Sequence, residues 1–154
     1  MRVLFVCMGN ICRSPTAEGV FRHRLLQAGL HERVTVDSAG TGDWHLGKAP
    51  DGRSSQAALS RGYDLSSLRA RQVQREDFQR FDLILAMDHD NLARLQALRP
   101  SAGGAELDLL LRRYQLALDE VPDPYYGGAD GFEQVLDLIE QASDALLAEI
   151  RGRL

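Results

Sequence analysis

Disulfide frameworks, lysines and long apolar runs are scarce or missing in this 154-residue chain. Only two cysteines occur, Cys7 and Cys12, and both lie in one short stretch. A stapled extracellular scaffold needs more of them, spread along the chain, so a reducing, cytoplasmic compartment is expected. No stretch approaches the roughly 20 consecutive apolar residues of a membrane span, and Met1-Arg2-Val3 runs straight into a core-like segment without a leader pattern. Lys48 is the sole lysine and the formal net charge is -4, which argues against non-specific nucleic-acid binding. The histidines, His23, His31, His45 and His89, fall at no metal-ligand spacing and read as surface residues. Two loop cysteines fall short of the four ligands of a structural zinc site, so neither a metal nor a cofactor is expected. No Gly-x-Gly-x-x-Gly or Walker A pattern occurs to suggest nucleotide binding.

What is present suits one domain over residues 1–154, long enough to bury a real core. Apolar runs at 2–7 and 81–87 read as buried strands, and the alternation at 33–38 as a short one. Residues 14–28 read as a helix with Ala17, Phe21, Leu25 and Ala28 on one face and Gly29 closing it. Further helices are expected near 51–61, from an Asp88 cap to Arg99 before Pro100, and over 130–150. The last carries an inner stripe of Phe132, Val135, Leu136, Ile139, Ala142, Leu146 and Ile150. Residues 106–111 fit a fourth strand or a helical turn. Alternating strands and helices imply an α/β fold of three layers, a parallel twisted sheet with helices on both faces. Ligands of such folds sit beyond the strand C-termini, where Cys7, Ser38 and Asp88 are expected to fall. Asp88 is open to two readings, helix cap or partner of Arg13.

The chemistry concentrates in Cys7-Met8-Gly9-Asn10-Ile11-Cys12-Arg13-Ser14-Pro15, directly after the strand Val3-Leu4-Phe5-Val6. A helix starting near Ser14, with Pro15 suited to its first position, offers unpaired N–H groups and the positive end of its dipole. Gly9 lets the backbone turn and approach a ligand. Met8, Gly9, Asn10, Ile11, Cys12, Arg13 and Ser14 can therefore ring a tetrahedral anion, with the Arg13 fork taking two of its oxygens. The same field favours a thiolate at Cys7, and the Ser14 hydroxyl can donate to it. A thiolate at the base of a phosphate-shaped cup is a nucleophile aimed at phosphorus. Cys12 is a candidate redox partner that could close a reversible disulfide with an oxidised Cys7.

Cys7 through Pro15 resembles the phosphate-binding loop of the low-molecular-weight protein tyrosine phosphatases. Asp123-Pro124-Tyr125-Tyr126 resembles that family's general-acid loop, and Asp37-Ser38-Ala39-Gly40-Thr41 and Ala70-Arg71-Gln72-Val73 resemble other family segments. The likeness spans nearly the whole chain. It implies a four-stranded version of the parallel fold and hydrolysis of phosphotyrosine, and of small aryl phosphates, through a phosphocysteine. Catalysis would fall to Cys7, Arg13 and Asp123, the last as acid and then base; on residues alone Asp123 between two prolines reads as a turn. Ile11 at its position resembles phosphotyrosine enzymes, where threonine goes with phosphoarginine. Ile11, Trp44, Tyr125 and Tyr126 would wall the pocket around an aryl ring. Asn10, in a left-handed conformation, would brace the loop with Ser38. Leu68 departs from the pattern, standing where many members carry histidine. Partners implied are phosphotyrosine-bearing proteins and a tyrosine kinase, with no nucleic acid and no membrane.

Two other readings share parts of this pattern. An oxidoreductase of the arsenate-reductase type uses a similar loop, but it needs further cysteines after Cys12, and none follows. A non-catalytic phosphate-binding module has no use for Cys7 and Asp123 together.

Overall fold

The computed structural model describes residues 1–102 and 104–154. Its elements follow in the order β1 (Arg2–Cys7), α1 (Arg13–Gln27), β2 (Thr35–Gly40), α2 (Gly52–Ser60), α3 (Asp77–Arg80), β3 (Leu83–Ala86), α4 (His89–Leu98), β4 (Glu106–Leu109), α5 (Leu110–Arg113) and α6 (Ala129–Arg153). The four strands form one parallel sheet in the order β2-β1-β3-β4. The chain winds outward from β1 in both directions, so the switch point lies between β1 and β3. Their C-terminal ends are where an open parallel sheet leaves a crevice.

Alternation along β1 explains the layers. Val3, Phe5 and Cys7 join Leu83 and Leu85 against α1 and α6. Leu4 and Val6 join Ile84 and Ala86 against α4 and Phe78 of α3. Both faces of the central strands are buried, as the continuous apolar runs require. The whole expected stripe of α6 is buried.

The differences from expectation are local and have causes. β2 extends two residues further than expected, to Gly40, because Gly40 still pairs with Cys7. Ser38 therefore sits within the strand opposite Phe5, not at its end. A Cβ on Gly40 would lie 2.6 Å from the Met8 carbonyl oxygen, so the lack of a side chain admits the loop after β1. Helix α1 begins at Arg13, one residue early, which makes Pro15 its third residue rather than its first. Proline is still tolerated there, because N–H groups of the first turn lack intrahelical partners. Residues 106–113 contain both alternatives, strand β4 and then the turn α5. Helix α3, four residues long, is too short to leave a periodic signal.

An ion-pair cluster clamps β4 and α5 to α6. Arg113 donates to both oxygens of Glu149 at 3.0 and 2.6 Å, and also to Glu106 and Asp108. The Tyr114 hydroxyl adds a bond to Glu149 at 2.8 Å. Arg113 foremost, against partial burial, pulls the Glu149 carboxyl down to about 2. A depressed folded-state value stabilises above the unfolded carboxyl's pKa of about 4.3 and is lost as pH falls through the folded one. Glu149→Gln should thus cost on the order of 1 kcal/mol at pH 7, a Tm drop of roughly 2–4 °C, after discount for the exposed part of the side chain. Thermal melts at several pH values should show the deficit shrinking from about pH 4 toward pH 2. A deficit that does not change with pH would remove the ionic explanation.

Candidate active site

The loop between β1 and α1 carries the cup. Asn10 turns it, with φ of 56°, a left-handed conformation that asparagine tolerates better than most residues. The Asn10 N–H then donates to Cys7 Sγ at 3.3 Å. Ser14 Oγ lies 3.0 Å from the same sulfur. No acidic residue occupies the first turn of α1 and no side chain caps it, so the positive end of its dipole stays open to an anion.

The side chain of Asn10 holds this shape from behind. Its amide donates to Ser14 Oγ at 2.8 Å and Ser38 Oγ at 3.0 Å, and its carbonyl accepts from the Arg71 N–H at 3.0 Å. Ser38 in turn donates to Glu18 Oε1 at 2.7 Å, and Glu18 pairs with Arg22. Because Ser14 Oγ accepts from Asn10, its own proton is left for Cys7 Sγ or for the Ala39 carbonyl at 3.3 Å. The Asn10 bond thus leaves the Ser14 hydroxyl able to donate to the thiol. Leu68, where a histidine was expected of the family, packs against the main core. Glu18 and Arg22 complete the network. Burial pushes the Glu18 carboxyl upward, against the bonds from Ser38 and Arg22.

Arg13 is 3% exposed and fixed from two sides. One of its amino groups donates to Asp88 Oδ2 at 2.7 Å and to the Val121 carbonyl at 3.0 Å. Burial works against its charge, but Cys7, Asp88 and Asp123 outweigh it and hold the guanidinium more firmly protonated than usual. Asp88 fills both roles read for it, because a carboxylate has two oxygens. Oδ1 accepts from the Asn91 N–H at 2.7 Å to cap α4, and Oδ2 takes Arg13. The Val121 N–H bonds the Met87 carbonyl at 2.8 Å, which anchors the start of the Pro122-Asp123-Pro124 loop to the end of β3. Asp123 then stands with its carboxylate 3.7 Å from the other amino group of Arg13. Its other oxygen accepts from the Tyr125 N–H at 3.0 Å.

These groups surround one cavity of about 410 Å³. Cys7, Met8, Gly9, Ile11, Cys12 and Arg13 form its floor, and Trp44, His45, Asp123, Tyr125 and Tyr126 its rim. Asn10 and Ser14 are buried and do not line it; their side chains serve the bracing network. Cys12 is buried as well, which pushes its thiol up to about 12 despite a bond with Ser54, so it is protonated at neutral pH. Trp44 is 62% exposed and Tyr126 89%, so the rim is open on the solvent side.

His45, Arg53 and Glu18 were not placed at the site from sequence, and Arg71 stood out only within the family-like segment Ala70-Arg71-Gln72-Val73. His45 is half-buried at the surface rim of the cavity, with its ring over Gly9 and 6.5 Å from the Tyr125 ring. Its position directly after Trp44 was the available clue. Arg53 stacks over Tyr125 and Phe132, at 5.4 and 4.8 Å, and so braces the aromatic rim. Among the described residues, no three His, Cys, Asp or Glu side chains gather as metal ligands, and no helix is long and apolar enough to cross a membrane.

Comparisons with known proteins agree with this geometry. The family model for low molecular weight phosphotyrosine protein phosphatases matches residues 2–153. The low molecular weight protein-tyrosine-phosphatase of Streptomyces coelicolor is 49% identical over 157 residues, covering 99% of this chain and 95% of that protein. A crystal structure of a protein tyrosine phosphatase from Entamoeba histolytica superposes with a TM-score of 0.93 at 40% identity, over 100% of this chain and 99% of that one. A drosophila arginine phosphatase superposes with a TM-score of 0.90 at 32% identity, over 97% and 98%. The chain belongs to the low molecular weight phosphotyrosine protein phosphatase family.

Proposed function

We propose that the phosphotyrosine phosphatase activity of this chain is carried by Cys7, Arg13 and Asp123 within one phosphatase domain, residues 1–154. The observation that carries the reading is the meeting of Cys7, Arg13 and Asp123 on one cavity, although Asp123 comes from a loop far along the chain. Cys7 Sγ attacks phosphorus in line as the thiolate; the S–P bond forms as the P–O bond to the tyrosine breaks. Backbone N–H groups of the loop that face the cavity and the Arg13 guanidinium hold the equatorial oxygens as charge redistributes, while the Asn10 N–H stays on the sulfur. Asp123 gives its proton to the departing phenolic oxygen. It then takes a proton from the water that attacks phosphorus, breaks the S–P bond and releases phosphate.

Ile11, Trp44, Tyr125 and Tyr126 support an aryl substrate. A ring carries its phosphorus well away from the peptide backbone, so it suits a deep cup with aromatic walls. Substrates are then phosphotyrosine-bearing proteins, among them a tyrosine kinase, in the cytoplasm, where free thiols such as Cys7 and Cys12 persist.

A panel of phosphotyrosine, phosphoserine and phosphoarginine peptides tests this. Phosphotyrosine should be preferred over each of the others by roughly 10²-fold or more in kcat/KM, a margin that a site-shaped pocket can supply. Preference for phosphoarginine would move the chain toward the activity named for its drosophila neighbour. Absence of hydrolysis of all three would refute the catalytic reading.

A further inference from the structure

Trp44 poses a physical question. It is the only tryptophan, it walls the cavity, and at 62% exposure it is not held there by burial. Gly42 supplies the answer. A Cβ built on Gly42 would lie 1.7 Å from Cζ3, 2.2 Å from Cε3 and 2.6 Å from Cη2 of the Trp44 indole. The six-membered ring therefore rests directly on the glycine backbone, where any side chain would collide with it.

We propose that Gly42 is a specificity-determining position: its missing side chain is the seat that sets Trp44 as the aryl wall. The proposal rests on the reading of Trp44 as a wall of the phosphotyrosine pocket. Gly42 does not itself line the cavity, so it acts as a positioning residue through the indole. The backbone cannot retreat to make room. The Gly42 N–H bonds the Met8 carbonyl at 3.0 Å, and the Thr41 N–H bonds the Cys7 carbonyl at 2.9 Å. The neighbouring Gly40 is already tight against the Met8 carbonyl oxygen. The element free to move is the exposed ring. Gly42 does not adopt a positive φ, so alanine fits its backbone without strain. A methyl group at this position thus leaves the fold alone and swings the indole off its seat.

The test is Gly42→Ala, assayed with phosphotyrosine and with acetyl phosphate, which has no ring, and followed by tryptophan fluorescence. KM for phosphotyrosine should rise roughly 3- to 10-fold, the scale of one aromatic contact. KM for acetyl phosphate and inhibition by inorganic phosphate should not change. Trp44 emission and its quenching by acrylamide should both shift. In a Trp44→Ala background, Gly42→Ala should add nothing to KM, since the pair acts as a unit. The proposal is overturned by unchanged phosphotyrosine KM, by unchanged emission, by an equal rise for acetyl phosphate, or by additivity with Trp44→Ala. If the parent hydrolyses no aryl phosphate, the phosphatase reading fails instead, and emission alone decides the seat: a shift supports it and no shift overturns it.

Discussion

Replacing Cys7 by serine should lower turnover by roughly 10⁴-fold or more, the scale on which loss of a covalent nucleophile acts. The structure gives the reason. The groups at the Cys7 sulfur are the Asn10 N–H and the Ser14 hydroxyl, a donor and a hydroxyl whose oxygen is engaged by Asn10. The first donates to sulfur and the second can, and neither is a base able to take a proton from a serine hydroxyl. An alcohol at this position would need a base bonded to it, and neither carboxylate nor imidazole hydrogen-bonds the Cys7 sulfur among the described residues. Binding should survive, because Arg13 remains pinned by Asp88 and Val121 and the loop remains braced by Asn10. Inorganic phosphate should therefore bind the variant about as tightly as the parent. Loss of phosphate binding together with activity would mean that Cys7 is structural. Retained turnover would mean that the nucleophile lies elsewhere.

Asp123→Asn should show an effect graded by leaving group. Protonation of the departing oxygen contributes about 10²- to 10⁴-fold when the leaving group is poor and little when it is good. In kcat/KM, which reports only the steps up to release of the leaving group, phenyl phosphate should therefore slow far more than an activated nitrophenyl ester. Asparagine keeps the shape and can still accept from the Tyr125 N–H, the bond that Asp123 makes at 3.0 Å. The loop is also held by Val121 through its bonds to Met87 and Arg13. A collapse of the loop is thus a poor explanation for any loss. Equal slowing of both esters in kcat/KM would exclude Asp123 as the acid.

Sequence and site meet unevenly, for physical reasons. The segment from Val3 to Pro15 was readable because each of its signals is local: a strand-like run, a turn-forming Gly-Asn pair, and a helix start. Helix α6 was readable because its stripe repeats over many turns. Asp88 was ambiguous in sequence because cap and ion pair both need a carboxylate, and one carboxylate does both. The residues that brace the cup were not readable. Glu18 looks like an ordinary helix-surface residue until the fold brings Ser38 against it. Arg71 contributes a backbone N–H, which no side-chain pattern announces. Gly42 carries no chemistry of its own, and its role exists only because Trp44 folds back on it. Such juxtapositions belong to tertiary structure. Ser38 shows the converse: its family role could be named from sequence, but its expected place at a strand end was wrong because the ladder continues to Gly40.

A sulfur–phosphorus bond is the intermediate that this chemistry requires. Rapid quenching of Asp123→Asn with excess nitrophenyl phosphate, followed by peptide mass analysis, looks for that bond directly. One phosphoryl group should appear on the peptide bearing Cys7, with an initial burst of nitrophenol matching the enzyme present, and neither should occur with Cys7→Ser. Phosphate on Cys12 or Ser14 instead, or a burst that persists without Cys7, would contradict the account.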